Sequence, residues 1–254
     1  MGDIRAAWMG LEKHWRITPS GKKMSSNISY DFMRFTIAPA VRIILRMKIR
    51  GVKNIPKSGA TILAANHLSH IDPIAIICSS RRKTHYLAKD GHFKNIFLAS
   101  FMRLTGQIKT ERETGGGEAL SRAADILEKD RVLGIFPEGT RSKKTEKPFL
   151  LPGKTGFARL AASYPDIPVV PIGINGSREF MKPQHHKLPR PWKKVSLSYG
   201  KPVTWMEWIE KRCTLEELLG LADKDDSEVK EALALLYRLF TDEFMECLKD
   251  QGAP

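Results

Sequence analysis

A chain of 254 residues, 42% of them hydrophobic, can bury one good core, which excludes a disordered protein and favours a single α/β-sized domain over two equal ones. It has no apolar run of about eighteen residues, which excludes a conventional membrane span, and the wide spacing of Cys78, Cys213 and Cys247 excludes a disulfide framework and a CxxC zinc site. The formal charge of +14 suits a polyanionic partner and is uneven: residues 1–57 hold 12 Lys+Arg against 3 Asp+Glu, residues 58–206 hold 24 against 12, and residues 207–254 hold 6 against 13.

The N-terminus lacks the basic patch, apolar run and small-residue cleavage site of a secretory signal, so the chain is expected inside the cell. Trp8 and Trp15, seven apart in a possible helix, are expected at a membrane boundary. The stretch "FMRFTIAPAVRIILRM", residues 32–47, reads as an amphipathic helix kinked at Pro39, with Arg34, Arg42 and Arg46 on one flank. Such a helix can lie in the headgroup layer, arginines toward phosphates, with Lys48, Arg50, Lys53 and Lys57 adding attraction to an anionic leaflet. Residues 1–57 are therefore expected to associate with a membrane; the alternative is that both helices pack on the domain.

From residue 51 short apolar runs bounded by turn residues predict strands at 60–65, 84–88, 106–109, 132–136, 169–174 and 195–199. Helices are expected between them at 73–78, 93–104, 118–129 and 154–163, with a long amphipathic helix at 227–248 closing the chain. Exposed loops are expected at 141–147 and 182–194. Near-continuous apolar strands alternating with helices indicate a single α/β domain with a mostly parallel or mixed central sheet flanked by helices, the catalytic part at 58–206 and a C-terminal helical segment at 207–254 packing on it.

Reactive groups in such sheets gather beyond the carboxyl ends of strands. The first predicted strand breaks there into "NHLSHIDP", residues 66–73, with a helix expected to start near Ser69 or His70, Ser69 capping it. Asp72 is close enough to His67 to accept from one imidazole nitrogen, leaving the other as a base toward a hydroxyl. A turn merely capped by Ser69 and Asp72 explains the same letters, and His70 competes for the role of base. The strand at 132–136 breaks likewise into Pro137, Glu138, Gly139, Thr140 and Arg141. Gly139 permits a positive φ or a close backbone approach to a ligand, Arg141 presents a fork suited to phosphate, and Glu138 can hold an arginine or a substrate hydroxyl. "GQIKTER", residues 106–112, delivers Lys109 and Arg112, which read alone as surface charges.

Taken in order, His67 and Asp72 in an NHxxxxD frame, Arg112 after a short strand, "FPEGTRS" at 136–142 and "VPIGI" at 170–174 resemble the four motif blocks of the glycerophospholipid acyltransferases, most closely the branch that acylates 1-acylglycerol 3-phosphate. The second block departs from the usual Asp-Arg pair, having Glu111-Arg112. The resemblance implies transfer of a fatty acyl chain from a thioester of coenzyme A or acyl carrier protein to the sn-2 hydroxyl of lysophosphatidic acid. It implies His67 and Asp72 as catalytic residues, no acyl-enzyme and no cofactor beyond the thioester co-substrate. Arg112, Glu138, Gly139, Thr140 and Arg141 would hold the glycerol phosphate, with Lys109 as a further phosphate candidate and a backbone N–H near Gly139 as an oxyanion donor. Partners are then a phospholipid surface on the cytoplasmic face, lysophosphatidic acid and the acyl carrier. Glycerol 3-phosphate or another lyso-lipid is the alternative acceptor. Nucleic acid is not expected, since aromatic content is only 8% and no zinc-finger or RNA-binding sheet signature is present.

Overall fold

The computed structural model describes residues 3–22, 29–89, 108–110, 115–181 and 189–254. Among the described residues seven strands form one mixed sheet in the order β1-β7-β6-β2-β5-β3-β4. They are β1 (Lys48–Arg50), β2 (Thr61–Ala65), β3 (Thr84–Lys89), β4 (Ile108–Thr110), β5 (Val132–Ile135), β6 (Val169–Asn175) and β7 (Ser196–Tyr199). The pairs β6/β2, β2/β5, β5/β3 and β3/β4 are parallel, β6/β7 is antiparallel and β1 runs parallel to β7.

β2 sits in mid-sheet and every residue of it is buried, which is why it reads as an unbroken apolar run rather than an alternation. Gly134 in β5 has a local cause: a Cβ there would fall 2.1 Å from Cζ of Tyr86, so only glycine lets that ring cross the strand.

Each face of the sheet carries its own core. Against one lie α3 (Ser29–Ile44) and α4 (Asp72–Ser79), where Leu45, Ile71, Ala75 and Ile76 meet Leu63, Ile172, Ile174 and Tyr199. Against the other lie α1 (Ile4–Gly10), α2 (Glu12–Trp15), α5 (Gly115–Leu127), α6 (Gly156–Ser163), α8 (Trp205–Ile209), α9 (Leu215–Ala222) and α10 (Asp226–Asp250), while α7 (Ser177–Phe180) follows β6 directly. In α10 the buried positions Val229, Leu233, Tyr237, Phe240, Phe244 and Leu248 recur every three or four residues, and Asp225 caps the helix by accepting from the amides of Ser227 and Glu228.

The two N-terminal tryptophans correct an expectation. Trp8 is fully buried and Trp15 nearly so; their rings stack at 5.5 Å, and Trp8 lies 5.2 Å from Trp205. The Trp8 indole donates to the Ala162 carbonyl and that of Trp15 to the Trp8 carbonyl. Both belong to the aromatic core beneath α6 and α10, not to a membrane boundary, because a ring whose N–H finds a carbonyl inside gains full burial without a polar cost.

Two strands differ from the expectation. β1 was not anticipated: it is three residues long with exposed ends, and is tied in by Lys48 N donating to Val195 O at 2.9 Å. The strand expected at 106–109 appears as Ile108–Thr110, residues 106 and 107 lying outside the described residues. The helix expected at 93–104, Arg112 and residues 182–188 also lie outside them.

Candidate active site

The carboxyl ends of β2 and β5, neighbours in the sheet, open on the same edge, and both polar clusters stand there. Asn66 fastens the first. Its Nδ2 donates to Ile174 O at 2.9 Å and its Oδ1 accepts from Ile174 N at 2.7 Å, so a buried amide stitches the end of β2 to β6. This sets where His67 begins.

His67 Nδ1 lies 2.9 Å from Asp72 Oδ2. The same oxygen accepts from the amides of Leu68 at 2.6 Å and Ser69 at 2.7 Å, and Asp72 is fully buried. Asp72 therefore bends back over the turn it follows. That corrects the expected helix start: α4 begins at Asp72, with Ile71 at its N-cap, and Ser69 does not cap but donates its hydroxyl to Met181 O at 2.6 Å. An Asp72 carboxylate accepting from Nδ1 fixes the ring tautomer and leaves Nε2 with its lone pair as the proton acceptor.

Phe136 settles the plane of the imidazole. Its ring stacks on His67 at 3.9 Å and 12°, and Tyr86 backs Phe136 at 5.5 Å. The space that Gly134 leaves for Tyr86 thus reaches the histidine through two rings.

His70, the competing base, is exposed and does not meet Asp72. Its Nε2 faces Arg141 Nη1. Burial lowers the basicity of the Arg141 guanidinium and the charge of Asp72 opposes that lowering, so the arginine lies within the electrostatic reach of the dyad. The backbone joins the two clusters as well, since Ser142 N donates to His67 O at 2.9 Å.

Glu138 occupies a different place from the one expected of a ligand-binding carboxylate. It is buried; Oε1 accepts from the His67 amide at 2.6 Å and Oε2 from the Leu151 amide at 2.9 Å. Both oxygens are taken by backbone, so in this arrangement it holds His67 rather than a substrate hydroxyl. Burial pushes its carboxyl up to about 7, against the lowering pull of those two amides. A folded-state value raised above the ordinary 4.5 means that this group stabilises the fold at low pH and loses that contribution as pH rises through about 7. Relative to Glu138→Gln, the wild type should therefore lose about 2 kcal/mol of urea-measured stability between pH 5 and pH 8. Parallel stability curves for the two proteins would contradict this.

Gly139 has φ +67°, the conformation glycine was expected to supply. Its amide, however, donates to Phe136 O at 2.9 Å and closes the turn, so that N–H is not an oxyanion donor. Thr140 is exposed on the same turn. Lys109 pairs in register with Ala88, and β4 ends on the same edge as β2 and β5, while Arg112 lies outside the described residues.

Parallel strands that present an oriented imidazole, a buried carboxylate and a half-buried arginine at one edge define an α/β protein with its polar site where enzymes of this architecture keep theirs. A family model described as acyltransferase matches residues 46–175. The chain belongs to the acyltransferase family. It is 26% identical over 158 residues to the 1-acyl-sn-glycerol-3-phosphate acyltransferase of Bacillus subtilis, covering 59% of this chain and 77% of that protein. It is 28% identical over 119 residues to the enzyme of the same name from Borreliella burgdorferi, covering 46% of this chain and only 48% of that one. Its fold is similar to that of the crystal structure of the 1-acyl-sn-glycerophosphate acyltransferase PlsC from Thermotoga maritima, with a TM-score of 0.55, 22% identity and coverage of 93% of this chain and 83% of that one.

Proposed function

We propose that the site transfers a fatty acyl chain from a thioester to the sn-2 hydroxyl of 1-acylglycerol 3-phosphate, giving phosphatidic acid. The observation that carries this reading is the 2.9 Å contact of His67 Nδ1 with Asp72 Oδ2 on the same edge as Arg141. In the proposed step His67 Nε2 removes the hydroxyl proton as the oxygen attacks the thioester carbonyl. The tetrahedral adduct collapses by breaking the C–S bond, and the thiolate takes the proton back from the imidazolium. Asp72 supports the ring while it is positive. No serine or cysteine nucleophile is used, so no acyl-enzyme forms. Arg141 holds the acceptor phosphate through its planar fork, and Lys109 and Arg112 are proposed as additions to that grip.

The test is an acceptor panel. Labelled lysophosphatidic acid, glycerol 3-phosphate and monoacylglycerol are each incubated with acyl-CoA and, separately, with acyl-acyl carrier protein. Phosphatidic acid from lysophosphatidic acid is the expected product; the two donor arms decide which carrier serves. Acylation of glycerol 3-phosphate instead would move the reading to the alternative acceptor, and preference for monoacylglycerol would leave Arg141 without its proposed ligand.

Both acceptor and product are lipids, which places the enzyme on a phospholipid surface, and α3 is the element proposed to face it. Among the described residues no helix is long and apolar enough to cross a membrane. Ala38 and Leu45 of this segment are buried, while Phe35 (73% exposed), Ile43 (76%) and Ile44 (54%) point outward, with Trp192 also 64% exposed. The arginines are placed differently from the expectation. Arg42 Nε donates inward to Cys78 O at 2.6 Å, near the end of α4, and Arg46 Nη1 reaches Trp192 O. The outward arc, roughly 200° wide, is thus more apolar than an arginine-flanked helix would be. A Phe35→Glu, Ile43→Glu double variant should keep its melting temperature yet stop co-floating with anionic phospholipid vesicles. Undiminished flotation would take α3 out of the membrane contact.

A further inference from the structure

The stretch "PGKTG", residues 152–156, carries a lysine that the chemistry proposed above leaves unused. A Cβ built on Gly139 would fall 3.0 Å from Lys154 Cδ, 3.2 Å from Cε and 3.2 Å from Nζ. The end of the Lys154 side chain therefore lies close against the Glu138–Gly139 turn. The backbone fixes this seat: Lys154 N donates to Pro137 O at 2.8 Å, and two residues later α6 begins. Among the described residues no carboxylate or carbonyl accepts from Lys154 Nζ. From the same turn the chain runs on to Arg141, and then to Ser142, whose amide reaches the His67 carbonyl.

We infer that Lys154 is a second cation for the acceptor phosphate, working with Arg141 from the other side of the Gly139 turn, and that it makes the site selective for acceptors carrying a phosphate dianion. Arg141 brings a planar fork and Lys154 a compact point charge, so the two grip different oxygens of one phosphate instead of competing for one. Gly139 supplies the positive φ of the turn, and without a Cβ it lets the lysine lie close against it. The inference deepens the proposed function and rests on Arg141 facing the acceptor phosphate.

The experiment follows the Thr140 and Arg141 amide resonances of the full chain during titration with glycerol 3-phosphate and, separately, with glycerol, and measures transfer to lysophosphatidic acid on the same proteins. Lys154 is exposed, so Lys154→Ala should melt with the wild type. It should bind glycerol 3-phosphate about tenfold or more weakly, and its KM for lysophosphatidic acid should rise with a smaller change in kcat. Lys154→Arg should recover most of the loss. Glycerol 3-phosphate affinity of Lys154→Ala within about twofold of wild type overturns the inference, as does an equal loss for glycerol or a wild type that binds no glycerol 3-phosphate. If the wild type makes no phosphatidic acid, the proposed acceptor fails, while a phosphate-specific binding loss in Lys154→Ala still supports the lysine.

Discussion

Asp72→Ala is expected to lose both stability and acyl transfer. The Asp72 carboxylate serves the imidazole of His67 and the amides of Leu68 and Ser69 through a single oxygen, with no solvent exposure. Truncation strands two amides in a turn that has no room to reorganise, since Asn66 on one side is pinned to Ile174 and Ser142 holds His67 from another. At roughly 1–3 kcal/mol for each buried group left unpaired, the loss should be about 2–6 kcal/mol by urea denaturation. Asp72→Asn separates the two duties. Its amide oxygen can still accept from both backbone N–H groups, so most stability returns, but it brings no charge to support an imidazolium, and transfer should stay far below wild type. A Asp72→Asn protein as active as the wild type would reduce this carboxylate to a turn-former.

His67→Ala should show the opposite balance. What the fold takes from His67 is its backbone: the amide that Glu138 accepts and the carbonyl that Ser142 donates to. Both survive the substitution. The side chain rests on Phe136 at the rim, 16% exposed, so its removal leaves a notch open to the site rather than a sealed cavity. Transfer should fall by about 10²–10⁴-fold with KM for lysophosphatidic acid little changed, because in the proposed step the lost group serves to deprotonate the hydroxyl and not to hold the phosphate. Steady-state kinetics at several acceptor concentrations separate the two parameters. A raised KM with an unchanged kcat would make His67 a binding residue.

Much of this arrangement was legible in the letters because it depends on local physics. β2, β5 and β6 are buried on both sides and must therefore be apolar along their length, so "TILAA", "VLGI" and "VVPIGI" stand out, and polar residues directly after them fall at the strand ends by construction. The His67–Asp72 pair spans five positions, within the reach of one turn. What could not be read depends on partners far along the chain. Asn66 meets Ile174 across 108 positions, and Glu138 meets the His67 amide across 71, so a carboxylate in a motif looked like a substrate ligand when it is spent on backbone. Trp8 and Trp15 fit a membrane boundary or a core equally well by periodicity. Only Trp205, delivered by a helix near the other end of the chain, shows which surface covers them. Arg42 failed in the same way: its charge suggested a headgroup, while Cys78 O at the end of α4 offered a nearer partner.

The central claim, that one imidazole takes the proton from a lipid hydroxyl, is tested most directly by rescue. His67→Gly is supplied with labelled lysophosphatidic acid, an acyl thioester and rising concentrations of imidazole, and phosphatidic acid is quantified. His67→Gly should give negligible product without imidazole and product that grows with its concentration, while the wild type stays indifferent to it. Transfer by His67→Gly at the wild-type rate with no imidazole present would contradict it.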